Sequence, residues 1–271
     1  MIHMGELLLL AFILAILVGM LAATIGIGGG VLYVPILMFL FSFDYKIAVG
    51  TSLVVIICGT LTSALTYMRQ NQVFLRVAFY LAIPGLIASA ICSYLTQFIS
   101  TFLLSLFFAL FIFLVGIQIL TPRVNFFYLI KREPILEEER ITSFGEKITA
   151  KFSYLHLIVW GLVSGSANGL TGIGGGTINV PAMLLGGLPI HIAVATSSFV
   201  IFCTSITAAL VHISLGHVAQ LPVYIVLIAG AMIGAFIGAR SCHYVSETKL
   251  RTVFGFVMIA ISLSVILRLF L

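Results

Sequence analysis

Two short runs hold the residues best suited to chemistry. Gly26-Ile27-Gly28-Gly29-Gly30 and Gly172-Ile173-Gly174-Gly175-Gly176 each place four glycines in five positions, inside stretches of membrane-grade apolar residues. Glycines so dense break a helix, at about 1 kcal/mol each relative to alanine. In an apolar medium the break leaves amides and carbonyls without intrahelical partners, and it persists only where protein covers it or where it lines a polar cavity. Consecutive free glycine amides form a concave donor surface that suits an anion. A helix begins after each run, near Val31 and Thr177, and its amino end turns free amides and a partial positive charge the same way. Hydrogen bonds to a charged group contribute roughly 1.5–3 kcal/mol each, so five or six supply on the order of 10 kcal/mol. That offsets much of the several kcal/mol needed to desolvate an ion. The predicted chemistry is capture of a small anion by main-chain donors, without lysine or arginine.

The candidate substrate-binding residues are Thr24, Gly26, Gly28, Gly29, Gly30, Thr51 and Ser52 in the first half of the chain. In the second they are Asn168, Thr171, Gly172, Gly174, Gly175, Gly176, Thr177, Asn179, Thr196 and Ser197. Thr51-Ser52 and Thr196-Ser197 are read as opening the next helix in each half, where a hydroxyl either caps its own backbone or meets substrate. The competing reading of the glycines is close helix packing, which calls for glycine every fourth residue rather than three in a row. His212 is a candidate proton carrier or a partner for a neighbouring helix, and Pro84, Gly85 and Gly230 mark kinks or close packing.

The elements that must position these residues are membrane segments. The chain is 62% hydrophobic and 8% charged, against about 25% charged in a soluble domain, so an all-α polytopic membrane protein is expected. A net charge of +5, held mostly in loops, reads as an orientation signal rather than a nucleic-acid surface. The four cysteines, Cys58, Cys92, Cys203 and Cys242, lack metal-ligand spacing and read as buried thiols. The first 23 residues lack a basic leader region and contain Glu6, so they read as a retained segment rather than a signal peptide.

The chain repeats. Gly26–Gly30 matches Gly172–Gly176 and Pro35 matches Pro181, both 146 positions apart. Ile47-Ala48-Val49-Gly50-Thr51-Ser52 then matches Ile192-Ala193-Val194-Ala195-Thr196-Ser197 at 145, as do Cys58 with Cys203, Thr62 with Thr207 and Gly85 with Gly230. The predicted organisation is a membrane half over 1–121, a charged linker over 122–154 and a second membrane half over 155–271. Five apolar segments are expected in each: 6–25, 31–43, 47–68, 77–98 and 102–121, then 155–171, 177–190, 191–213, 222–240 and 252–271. Segment 47–68 reaches about 33 Å, enough for a core of roughly 30 Å. Segments 31–43 and 177–190 reach only about 20 Å, short for a simple crossing, so each reads as the returning arm of a re-entrant hairpin, with a tilted full crossing as the alternative. The total is about 8–10 membrane helices.

Basic residues cluster at Arg69 and Arg76, in the linker, and at Arg240, Lys249 and Arg251, whereas the turns 98–101 and 214–221 have none. The positive-inside rule then puts the linker in the cytoplasm and both termini outside, with Lys46 and Arg268 as exceptions. Matched loops fall on opposite sides, so the two repeats are inverted, and doubled breaks in inverted repeats point to a transporter's substrate site near the midplane. The linker holds 11 of the 21 charged residues and reads as a solvated loop with a short interfacial helix around 135–152.

No Asp, Glu, Lys or Arg lies centrally in a predicted span, which disfavours a cation site built on carboxylates. No HExxH, Walker A or GxSxG sequence is present, so neither an intramembrane enzyme nor an ATP-driven pump is indicated. A channel, or a transporter of another oxyanion, a metal or an amino acid, keeps the same fold and stands as the alternative. No cofactor is expected; coupling to protons or sodium stays open, as does the oligomeric state. The expected partners are a small anion and membrane lipid.

The pattern from Thr24 through the glycines to Pro35, followed by Ala48-Val49-Gly50-Thr51-Ser52, resembles the TauE/SafE (sulfite exporter, TSUP) family. The second half repeats it as Thr171–Gly176, Pro181 and Ala193-Val194-Ala195-Thr196-Ser197, except that Thr24 aligns with Leu170 and Thr171 with Ile25. The resemblance covers essentially the whole chain. It implies a secondary transporter in the cell membrane for sulfite or an organosulfonate, in either direction; the sulfur comes from the resemblance alone.

Overall fold

The structure is a computed structural model describing residues 4–121, 136–141, 147–185, 187–219, 221–241 and 247–270. Ten α-helices lie among them: α1 Met4–Ile25, α2 Gly30–Leu40, α3 Tyr45–Arg69, α4 Leu75–Leu95, α5 Thr101–Leu120, α6 Tyr154–Thr171, α7 Gly176–Leu185, α8 Ile190–Ser214, α9 Leu221–Ser241 and α10 Glu247–Phe270. Among the described residues, five stretches are long and apolar enough to cross a membrane: Gly5–Ile25, Tyr45–Arg69, Leu75–Phe98, Ile190–Ser214 and Leu221–Ser241. Their outward faces are apolar as well. Ile83, Ile87 and Ile91 form an exposed row on α4, and Leu9, Ile13 and Leu17 one on α1; helices apolar all round belong in lipid.

The short segments are hairpin arms. α2 has 11 residues and α7 has 10, lengths of about 16 and 15 Å, half a bilayer core. Each folds back on the helix before it. Tyr33 of α2 donates its hydroxyl hydrogen to the Ala15 carbonyl of α1, while Gly29 sits against Ala22. In the second half, His156 Nε2 of α6 lies 2.9 Å from the Ala182 carbonyl of α7, and Gly175 sits against Ser164. α7 ends at Leu185, short of the expected 190, because the chain turns at Gly187 with φ 87°. At the other end of α2, Arg268 of α10 donates to the Met38 carbonyl, placing a cation on free carbonyls at a helix C-terminus.

Exchanging the halves exchanges the packing partners. α1 packs on α9 as α6 packs on α4, while α3 packs on α8 and α5 on α10, each against its own equivalent. α3 begins beside the end of α8, where Gly50 meets His212 and His217, and α8 begins beside the end of α3, where Thr196 meets Phe74. Equivalent helices therefore run antiparallel. α3 and α8 form the centre.

The α1–α9 and α4–α6 contacts are close because one partner carries a glycine stripe. Gly161, Gly165 and Gly169 of α6 touch the α4 backbone at Leu81, Gly85 and Ser89. Gly230, Gly234 and Gly238 of α9 touch the α1 backbone at Phe12, Ile16 and Met20. This is small-residue spacing, the mode of close packing in membranes. Gly85 and Gly230 thus serve packing.

The expected interfacial helix over 135–152 is not what forms. Leu136–Ile141 and Lys147–Phe152 are antiparallel strands, β1 and β2, with Glu137 opposite Lys151 and Glu139 opposite Thr149. Period two decides it: Leu136, Glu138, Ile148 and Phe152 are buried, while Glu137, Glu139, Lys147 and Lys151 are exposed. The exposed face carries Lys151–Glu137 at 2.7 Å and Lys147–Glu139 at 3.0 Å. The hydrogen bond from Lys147 holds the Glu139 carboxyl below its ordinary range, and Glu137 pushes Lys151 up. The buried face packs with Phe74, Val77 and Tyr67, and Glu138 accepts from the Val77 amide in the first turn of α4.

Glu138→Ala removes a carboxylate from a helix amino end, a change of about 1 kcal/mol. Hydrogen exchange of the β1 amides should quicken roughly fivefold to tenfold while the middle of α4 is unchanged. Gly165→Val drives a side chain into the Gly85 backbone and should lower stability in detergent by about 1–3 kcal/mol. Gly5→Ala, at a glycine with open space around it, should leave the melting temperature nearly unchanged.

Candidate functional site

The glycine runs form the tips of the two hairpins, and both use the same backbone. φ is positive at Gly26, Gly28 and Gly29 (78°, 82° and 83°) and at Gly172, Gly174 and Gly175 (65°, 97° and 73°). Side chains rarely adopt that conformation. The fourth glycine of each run is required for another reason. A Cβ on Gly30 would run into the Gly172 carbonyl, and one on Gly176 into that of Gly26. The tips thus interlock, with Gly28 against Gly174. Ile56 and Ile201, near the middles of α3 and α8, lie beside Gly30 and Gly176. The runs are buried throughout.

The Thr-Ser pairs stitch the two halves together. The expectation that they open their helices is corrected: α3 starts at Tyr45 and α8 at Ile190, so both pairs lie in the second turn and cannot cap their own amino ends. Asp44 caps α3 instead, accepting from the Lys46 amide. Ser52 donates to the Gly172 carbonyl at 3.3 Å, and Ser197 to the Gly26 carbonyl at 2.9 Å. Thr51 accepts from the Ala219 amide at 2.9 Å, and Thr196 from the Phe74 amide at 3.1 Å. All four are fully buried. Thr24 and Thr171 return their hydroxyl hydrogens to their own helices, at Met20 and Leu21 and at Ala167.

What remains free at the tips is mostly donors. Among the described residues, the carbonyls of Gly26, Gly29, Gly172 and Gly175 accept hydrogen bonds, whereas those of Ile27, Gly28, Ile173 and Gly174 do not, nor do the amides of Gly28, Gly29, Gly30, Val31, Ile173, Gly175, Gly176 and Thr177 donate. These are the open amino ends of α2 and α7, brought together from both halves.

The side chains around the tips are unequal. Asn168 Oδ1 accepts from the Gly174 amide at 2.9 Å, and Nδ2 donates to Thr204 and Ser205, both at 3.3 Å. Ser89 extends this network to the Thr204 carbonyl and, at 2.6 Å, to the Thr207 hydroxyl. The position matching Asn168 in the first half is Ala22, which makes no such bond. Thr177 Oγ1 and both polar atoms of the Asn179 carboxamide are buried without a hydrogen-bond partner among the described residues. Their counterparts, Val31 and Tyr33, are an apolar residue and a satisfied phenol. Each unpaired buried group costs about 1–3 kcal/mol, so α7 carries polarity that the packing alone does not employ. Ser89, Thr204, Ser205 and Thr207 were not among the sequence candidates. Their signal was polar residues at helical spacing within spans, where such groups cross-link helices. Cys58, Cys92 and Cys203 are free thiols; Cys242 lies outside the described residues.

Comparison with known proteins agrees with this architecture. The sequence profile of the family described as "Sulfite exporter TauE/SafE" matches residues 11–265. The probable membrane transporter protein YunE of Bacillus subtilis is 32% identical over 248 residues, 85% of this chain and 88% of its own length. The probable membrane transporter protein MJ0441 of Methanocaldococcus jannaschii is 27% identical over 260 residues, 90% of each chain. Sulfite exporter TauE/SafE family protein 6 of Arabidopsis thaliana is 30% identical over 104 residues, 38% of this chain and 24% of its own. With the ten-helix bundle, the paired hairpins and a family match over nearly its whole length, the chain belongs to the sulfite exporter TauE/SafE family of multi-pass membrane transporters.

Proposed function

We propose that the protein is a secondary transporter of a small sulfur-containing anion, sulfite or an organosulfonate, in the cell membrane. The observation that carries this reading is the set of free amides at the two interlocked hairpin tips, buried at the middle of the bundle. A tetrahedral or pyramidal oxyanion presents several acceptors at once, and two helix amino ends supply convergent donors without a fixed countercharge. Neutral donors also permit release, which a lysine cage would oppose. The family name and that of the plant relative supply the sulfur.

In this conformation Gly28 and Gly174 touch, so the anion enters as the hairpins part. Antiparallel equivalent helices support inverted halves. Rocking one half against the other then opens the tips to each side in turn, with the linker and its β-hairpin in the cytoplasm and both termini outside. Thr177 and Asn179 supply side-chain contacts to the anion from the second hairpin, and Asn168 holds that hairpin in shape.

Binding and stability separate the roles. Asn179→Leu replaces an unpaired carboxamide by an apolar group of similar size, so the unliganded protein should gain about 1–3 kcal/mol. Sulfite affinity should fall roughly tenfold to a hundredfold, read as lost thermal stabilisation by ligand and lower uptake into proteoliposomes. Asn168→Ala should lose stability and transport together, because Gly174 and Thr204 lose their partner. Wild-type sulfite affinity in Asn179→Leu would remove that residue from the site. If wild-type vesicles carry neither sulfite nor an organosulfonate, the substrate assignment fails.

A further inference from the structure

The end of α8 holds two histidines that the tips leave unused. His212 is fully buried, with Nε2 3.2 Å from the Gly169 carbonyl and Nδ1 3.2 Å from Nδ1 of His217. A carbonyl only accepts, so Nε2 of His212 carries the hydrogen. In the neutral ring Nδ1 is then a bare acceptor, and His217 Nδ1–H donates to it. One backbone carbonyl therefore sets the tautomers of both rings. The pair belongs to one half: the position of His212 in the first half is Tyr67, whose hydroxyl donates to Ala23 at 2.8 Å, and a tyrosine does not titrate near neutral pH.

Position links the pair to the second tip. Gly169 follows Asn168, which holds the Gly174 amide, and precedes Gly172 by three residues. Its carbonyl also accepts from Ser93 of α4. The charged groups facing the pair come from the start of α3, Asp44 and Lys46, while α6 and α4 present a neutral carbonyl and a hydroxyl. His217 is half-buried in the turn after α8. Burial and then Lys46 push its imidazole below the ordinary value, and Asp44 opposes them. It is therefore neutral near pH 7 and takes a proton as the pH falls.

We propose that His212 and His217 form a proton-binding site that couples proton movement to anion movement at the second hairpin, an inference that rests on the anion-transport reading above. A proton adds to the Nε2 lone pair of His217. His217 becomes an imidazolium that keeps its Nδ1 hydrogen donated to Nδ1 of His212, which stays neutral because it is the more deeply buried ring. The positive charge then sits on His217, one imidazole away from the Gly169 carbonyl near the carboxyl end of α6, where the helix dipole favours a cation. It attracts the anion at the adjoining tip. By linkage the proton raises anion affinity by the same factor as the anion raises proton affinity.

The test uses the full-length protein and methanesulfonate, whose charge stays fixed between about pH 5 and pH 8, so a pH effect belongs to the protein. Wild-type affinity should rise about tenfold over that range as the pH falls. In voltage-clamped proteoliposomes an imposed proton gradient should drive accumulation. His217→Gln should bind and equilibrate methanesulfonate with a flat pH profile and no accumulation, and His212→Tyr, which restores the residue of the first half, should do the same. A flat wild-type profile with intact transport, or gradient-driven accumulation retained in His217→Gln, overturns the proposal. If wild type carries no anion, the transport reading fails instead. Nitrogen NMR titration of the two rings then decides the proton site: linked titration supports it, and independent titration removes it.

Discussion

A broken helix in an apolar bundle must find partners for its backbone, and here each break finds them in the other half of the chain. The Gly26 carbonyl is met by Ser197 and the Gly172 carbonyl by Ser52. A carbonyl left bare in that setting costs several kcal/mol, so neither tip is independently tolerable in this geometry. The constraint propagates outward. α3 and α8 must lie antiparallel and adjacent for the serines to reach, and the fourth glycine of each run must lack a side chain for the tips to interlock. The stitching consumes one carbonyl at each tip, and eight amides there stay unbonded among the described residues. That leaves a net donor surface at the middle of the bundle.

Polar side chains depart from symmetry while the scaffold keeps it. The cross-stitching bonds of the Thr-Ser pairs occur twice, once in each direction. Asn168, Thr177, Asn179 and His212 correspond to Ala22, Val31, Tyr33 and Tyr67, so polar groups have gathered in one hairpin and against it from α8. Both tips are held by a serine of the other half, and the second is held in addition by Asn168.

Much of this was legible before any coordinates. Hydropathy located ten segments close to the ten observed helices, because apolar runs in a membrane chain end where charge or glycine begins. The doubled glycine run identified the tips, since four glycines in five positions have no stable helical use. The linker hairpin was missed because eleven charges obscured a short period-two pattern, Leu136 with Glu138 and Ile148 with Phe152, whose buried side becomes clear only against Phe74 and Val77. The Thr-Ser pairs were misplaced by a late helix start, although Asp44 was available as a cap. The His212–His217 pair and the unpaired Asn179 depend on how a turn closes and on what α7 does not touch, and neither is written in residue spacing.

The two glycine stripes carry a consequence for how such a duplicated chain diverges. In one contact the stripe lies on α6, while in its equivalent it lies on α9, the counterpart of the opposite partner. Distance between two helix axes is set by the combined bulk of both surfaces, not by either one. After duplication, therefore, selection could conserve a clearance while letting the small residues migrate from one wall to the other. Kinship between the halves is then better measured in the gaps they share than in the letters they retain.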